Sequence, residues 1–354
     1  MKIAQIAPLY ESVPPMTYGG SERIVSYLTE ELVRQGHDVT LFASGDSVTE
    51  ANLFAVCERS LRLDEHCVDQ LAHHVVMIER VVQRAAEFDI IHFHVDYLHF
   101  PLSRRMRTPH VTTLHGRLDL PDLIPLYDEF ADIPVVSISD SQREPLPHAN
   151  WVATIHHGLP YDAYKLHTEP GTYFAFLGRI SPEKRVDRAI EIAKKLDIPI
   201  KIAAKVDRVD RAYFKARIEP MLDDPLVEYV GEIGEVEKSA FLGRARALLF
   251  PIDWPEPFGM VMIEALACGT PVIAYRRGSV TEVIEHGVTG FIVDGKDDAV
   301  AHAARVGELD RRRWRAVFEQ RFSAERMARD YMKVYERLVE AGAPERFTGS
   351  SPGQ

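Results

Sequence analysis

The chain opens on a short apolar run at 2–7, rich in isoleucine and alanine and stopped by Pro8, which predicts a buried strand. A loop through Pro14, Pro15, Tyr18, Gly19 and Gly20 follows. Ser21 then stands where a helix cap would. Ile24, Leu28 and Leu32 fall four apart along the predicted helix, and Gly36 ends it. The run 39–43 reads as the next strand. Strand, helix and strand in that order predict a right-handed crossover between parallel strands. A helical pattern over 67–88 continues the alternation, with strands at 90–93, 111–114, 135–139 and 152–155.

Residues 159–171 carry Pro160 and Pro170 and no clear period, so they read as a linker. A second series begins beyond it. Strands at 173–177, 200–204, 227–230, 247–250, 272–275 and 291–293 alternate with helices at 186–195, 211–221, 236–244 and 260–267. Two helical stretches, 311–320 and 324–339, precede a Gly/Ser/Pro-rich tail read as disordered over 342–354. The fold class is therefore α/β, with two Rossmann-like, doubly wound parallel-sheet domains at 1–160 and 161–323. Facing each other, such domains place a ligand in the cleft between them, beyond the carboxyl ends of the strands.

Composition narrows the partners. The 354 residues carry 53 acidic and 42 basic side chains, a formal charge of −11, which disfavours nucleic acid or an anionic membrane as a generic partner. Hydrophobic residues at 46% exclude wholesale disorder. Cys57, Cys67 and Cys268 are odd in number and lack a CxxC pair, so they read as reduced thiols in a cytoplasmic protein. The N-terminus is too polar for a secretory core, and the best apolar stretch, 258–275, is broken by Glu264 and Gly269. Peripheral membrane contact stays open.

Four loops carry candidate chemistry, and each follows a predicted strand. In the run 253–265, Pro255 and Pro257 stiffen the approach to a helix and Gly259 lets its start come close to a ligand. The free amides there make an anion site, and Glu256 and Glu264 are natural acceptors for sugar or ribose hydroxyls. Arg179 and Lys184, in the run 178–184, are two cations that can converge on one polyanion. Gly19 and Gly20 permit close approach to a phosphate or sugar, and the dinucleotide spacing G-x-G-x-x-G is absent there. His115, after the strand at 111–114, suits a hydrogen bond to a sugar or a proton transfer. No histidine or carboxylate spacing points to a metal.

Taken in order, these segments resemble family 4 of the retaining glycosyltransferases, with the GT-B fold of two facing Rossmann-like domains. Glu256 and Glu264 resemble that family's E-x7-E element, with Phe258, Gly259, Met260 and Val261 between them. Arg179 and Lys184 resemble its diphosphate-binding pair, Gly19 and Gly20 its glycine loop, and His115 the histidine beside the donor sugar. The runs 268–274, 282–284 and 287–291 are also typical wording. One departure is His157, which precedes Gly158 where many members have asparagine.

The resemblance implies a metal-independent, retaining hexosyltransferase that takes a nucleotide-diphosphate sugar as substrate and needs no cofactor. A UDP-sugar ranks ahead of a GDP-sugar, and the acceptor is a small molecule, a glycan or a lipid-linked hydroxyl. It also implies that the final helix, about 324–341, packs back on the first domain. A sugar-nucleotide epimerase of the same fold and a non-catalytic nucleotide-sugar-binding protein are the alternatives.

Overall fold

The computed structural model describes residues 1–16, 19–169 and 171–342. Tyr18 of the glycine loop, Pro170 of the linker and residues 343–354 of the expected tail lie outside them. Within the described residues thirteen strands form two sheets, and every pairing is parallel. The first sheet holds β1 (Lys2–Ile6), β2 (Asp38–Ser44), β3 (Asn52–Cys57), β4 (Ile90–Phe93), β5 (His110–Thr113), β6 (Val135–Ser137) and β7 (Trp151–Thr154), in the order β3-β2-β1-β4-β5-β6-β7. The second holds β8 (Tyr173–Arg179), β9 (Ile200–Lys205), β10 (Val227–Gly231), β11 (Ala245–Phe250), β12 (Val272–Tyr275) and β13 (Gly290–Val293), in the order β10-β9-β8-β11-β12-β13.

The central strands are apolar without alternation because helices cover both faces. Ile3 and Ala4, on opposite faces of β1, are both fully buried, as are Ile90 and Ile91 of β4. Strand order reverses once in each sheet, between β1 and β4 and between β8 and β11. Loops leaving such a pair diverge to opposite faces and open a crevice at the carboxyl ends. All four loops that the sequence marks leave one of those strands or their neighbour β5.

Several elements differ from the sequence pattern, each for a local reason. β3 has no counterpart in it: it is an edge strand, half-exposed along its length and paired only with β2, so no apolar run marks it. The first helix is Gly20–Arg34, with Gly19 and not Ser21 at its cap. Gly19 has φ 148°, and a Cβ there would stand 2.8 Å from Pro15 Cβ, so glycine sets the start. The helix expected over 67–88 is Gln70–Gln83, because the Asp69 carboxylate caps it by accepting from the Leu71 and Ala72 amides. The pattern over 211–221 folds as one helical stretch of changing winding, α over Arg211–Tyr213, π over Phe214–Ile218 and 3-10 over Glu219–Met221, with Pro220 lacking the amide a regular α-helix needs.

The chain crosses between the sheets where Leu159 meets the segment that returns. Leu159 N donates to Phe322 O at 2.9 Å, and Ala324 N donates to Leu159 O at 2.9 Å. The last helix, Ala324–Gly342, then lays Met327, Ala328, Tyr331 and Tyr335 against Ile3, Ile24 and Leu28 of the first sheet and its helix. Each fully buried large side chain contributes roughly 1.5–3 kcal/mol, so this seam is a strong clamp. Among the described residues no helix is long and apolar enough to cross a membrane.

Candidate functional site

Between the two sheets lies a cleft of about 710 Å³. Gly19, Gly20 and His115 line it from the first unit. Arg179, Lys184, Glu256, Phe258, Gly259, Met260, Val261 and Glu264 line it from the second. All eleven residues singled out by the sequence therefore meet one space.

The loop after β11 is held from several sides. Asp253 N donates to Glu183 O at 2.8 Å, tying it to the loop that carries Lys184. Ser279 N donates to Glu256 O at 3.1 Å and Ser279 Oγ to Phe258 O at 2.7 Å. From the first unit, Ser139 Oγ donates to Pro257 O at 2.6 Å. Gly278 packs directly beneath: a Cβ there would stand 2.4 Å from both N and O of Glu256. Gly259, at φ 75°, turns the chain into the helix Met260–Ala267, whose first amides have no partner within the helix.

Charge is organised around that loop. Lys184 is in contact with Glu256, and Trp254 Nε1 donates to the same carboxylate oxygen at 2.8 Å. The Lys184 ammonium also lies over the Trp254 ring, 5.0 Å from its centre. Arg179 meets Glu183 at 2.5 Å, Asp210 at 3.5 Å and Asp207 at 3.6 Å. Both cations are thus poised among carboxylates at the mouth of the cleft.

A second charge cluster escaped sequence reading. Glu264, almost wholly buried, pairs with Lys238 at 3.1 Å, and Lys238 pairs with Glu235 at 3.3 Å. Glu235 reaches across the cleft to Arg23 at 3.0 Å and accepts from Tyr27 at 3.1 Å and Tyr164 at 2.5 Å. Burial pushes the Glu235 carboxyl up, yet the Lys238 and Arg23 charges and the two hydroxyls outweigh it and hold it below the usual range. Its only sequence signal was position, at the start of a helix after β10.

His115 ends a buried polar chain. Gln5 Nε2 donates to Tyr335 Oη at 3.1 Å, so its Oε1 faces His94 Nε2 at 2.8 Å, and that nitrogen must carry the proton. His94 Nδ1 is then the acceptor for His115 Nε2–H, 2.9 Å away. This leaves His115 Nδ1 as a lone pair without a partner among the described residues. Burial pushes the His115 imidazole down to about 4, so it is neutral near pH 7. His157 stacks on it at 5.4 Å and meets the edge of Phe258 at 4.9 Å, forming one wall of the cleft. Among the described residues no three His, Cys, Asp or Glu side chains gather as a metal cage.

Residues 163–316 match the family described as glycosyl transferases group 1, and residues 18–135 match glycosyltransferase family 4. The chain is 24% identical to N-acetyl-alpha-D-glucosaminyl L-malate synthase of Bacillus anthracis, over 90% of this chain and 93% of that protein. Its fold is shared with AviGT4, a glycosyltransferase involved in avilamycin A biosynthesis, at TM-score 0.73 and 23% identity over 97% and 99% of the two chains. It is shared too with HepE of Anabaena in complex with UDP and glucose, at TM-score 0.73 and 18% identity over 95% and 100%.

Proposed function

Because the chain is a glycosyltransferase of the group 1, family 4 type with the GT-B fold, we propose that it moves a sugar from a nucleotide diphosphate to a hydroxyl acceptor, with retention and without a metal ion. The observation that carries this reading is the contact between Lys184 and Glu256. A cation suited to a phosphate and a carboxylate suited to sugar hydroxyls stand side by side at a helix start. That is the arrangement the junction of a sugar and a diphosphate requires.

In this reading Arg179, Lys184 and the amides near Gly259, Met260 and Val261 hold the diphosphate, replacing their present carboxylate contacts. Glu264 accepts from the ribose and Glu256 from the transferred sugar. Phe258 walls the sugar pocket. Gly19 and Gly20 close on it from residues 1–160, the acceptor side, while 161–323 bind the donor. His115 Nδ1 accepts from a sugar hydroxyl. UDP is the first choice of nucleotide, supported by the UDP that HepE binds, and GDP the second.

The anomeric C–O bond breaks with its electron pair going to the diphosphate. The acceptor oxygen bonds the same face of the anomeric carbon, and its proton passes to a donor phosphate oxygen. The protein stabilises charge as it forms on the leaving group, which is preorganised electrostatics. No protein atom bonds the sugar.

The test is incubation of the protein with nucleotide sugars and an acceptor panel in excess chelator, with the product read by NMR. A new glycosidic bond with the donor's anomeric configuration supports the reading. Inversion or dependence on added metal overturns its mechanism. Acceptor-free interconversion of donors identifies an epimerase instead, and donor binding without chemistry a non-catalytic protein. Binding itself shows as a thermal shift, since a ligand at 100 times its Kd stabilises by about 2.7 kcal/mol.

A further inference from the structure

The first unit's wall of the cleft has its own charge pattern, distinct from the cationic wall opposite. Tyr10, Glu22, Arg62, Asp96 and Tyr97 line it together. They form one patch on the cleft wall, where burial and the Asp96 carboxylate push the Tyr10 hydroxyl above its usual value. Arg62 is committed to Glu11 at 2.7 Å. Arg117, further along the wall, is held by both oxygens of Asp119 at 2.7 and 2.8 Å. Glu22 and Asp96 are in no ion pair among the described residues, and burial raises Asp96 only to about 6, so near pH 7 its carboxylate leaves the uncompensated charge here negative.

The patch is built and not incidental. Tyr10 lies against His74, ring centres 4.8 Å apart. Both nitrogens of that histidine are engaged, Nε2 accepting from Leu9 N at 3.1 Å and Nδ1 facing Gln70 O at 2.8 Å. A fixed neutral imidazole thus braces the Tyr10 ring, which remains partly open to the cleft. Asp96 has a left-handed backbone, φ 49°, which is rare for a residue with a side chain and clusters at functional positions. Burial pushes the Glu22 carboxyl up to about 7, so near neutrality it both donates and accepts.

We propose that the acceptor is a neutral, hydroxyl-rich molecule, a sugar or polyol without phosphate or carboxylate, bound between Tyr10 and Tyr97 with Asp96 and Glu22 as its hydroxyl partners. Vicinal hydroxyls donate in pairs to a carboxylate, and apolar sugar faces lie on aromatic rings. An acceptor carrying its own anion would meet the unpaired Asp96 carboxylate and two arginines already neutralised by Glu11 and Asp119. The inference rests on the reading that residues 1–160 present the acceptor.

The experiment takes the intact protein with the nucleotide sugar that binds it in calorimetry. It compares transfer to matched pairs: myo-inositol and its monophosphate, a hexose and its 6-phosphate, a hexose and the corresponding uronic acid. The expected result is kcat/KM at least tenfold higher for the neutral member of each pair that is used. Asp96→Asn should raise the KM for the neutral acceptor and narrow the preference, leaving donor affinity unchanged. Tyr97→Ala, an exposed position, should raise acceptor KM alone. Preference for the charged members, transfer to no neutral acceptor, or variants with unchanged acceptor KM would overturn the inference while donor binding stands. If no nucleotide sugar binds, the functional reading fails first, and this inference falls with it.

Discussion

His94 and His115 share a 2.9 Å hydrogen bond whose direction follows from Gln5, which turns its Oε1 to His94 Nε2 and its Nε2 to Tyr335, far away on the last helix. The chain of donors leaves His115 with its proton on Nε2 and its lone pair on Nδ1. Nitrogen-15 chemical shifts of the His115 ring should report that tautomer in the wild-type protein. Tyr335→Phe should mix the two tautomers and lower kcat without moving nucleotide affinity. A protonated Nδ1 in the wild type would refute the assignment.

Arg179→Ala and Lys184→Ala should each lower kcat by about 10²–10³, or roughly 2.7–4 kcal/mol of barrier, by analogy with a lost oxyanion donor. Steady-state kinetics on the best donor measures this. Wild-type turnover in both would remove these cations from the site.

Glu264→Gln tests the nucleotide end. Lys238 keeps Glu235 at 3.3 Å, so the fold should persist. Binding of the nucleoside diphosphate should weaken by about 1.5–3 kcal/mol, the usual contribution of a hydrogen bond to a charged group. Calorimetry with UDP reads it directly, and an unchanged Kd would place the ribose elsewhere.

Gly278→Ala should damage the site from behind. The new Cβ would press on the Glu256 backbone at 2.4 Å, in a position with φ 50°. Stability should fall by about 1–3 kcal/mol, the typical cost of overpacking, and turnover should fall more than in an exposed control such as Gly307→Ala. Equal activity in the two variants would contradict the role given to this packing.

The pH dependence has a definite sign. Burial holds His115 at about 4, and His92, His94, His99 and His157 well below the ordinary imidazole value. Unfolded, they titrate near 6.5, so their stabilisation is complete above that pH and is lost as pH falls toward 4. Glu22 acts oppositely: raised to about 7, it favours the fold below pH 4.5 and loses that contribution as pH rises through 7. Five histidines outweigh one glutamate, so Tm should drop between pH 6.5 and 4.5. Glu22→Gln should raise Tm at pH 8 and leave it unchanged at pH 4.5. A Tm flat across the acid range would refute the buried neutral histidines.

The sequence by itself determined the alternation of strands and helices, the two parallel sheets and the loops that carry Gly19, Arg179, Lys184 and Glu256. Those features are local: apolar runs, proline and glycine punctuation and strand-to-helix turns are written in neighbouring residues. Only the tertiary structure decided that Lys184 touches Glu256, that Glu235 bridges Arg23 and Lys238, and that Gln5 sets the proton on His94. It also decided β3, whose exposed edge leaves no apolar run to read. Such contacts join residues that packing alone brings together, and periodicity in a chain carries no record of which distant face a side chain will meet.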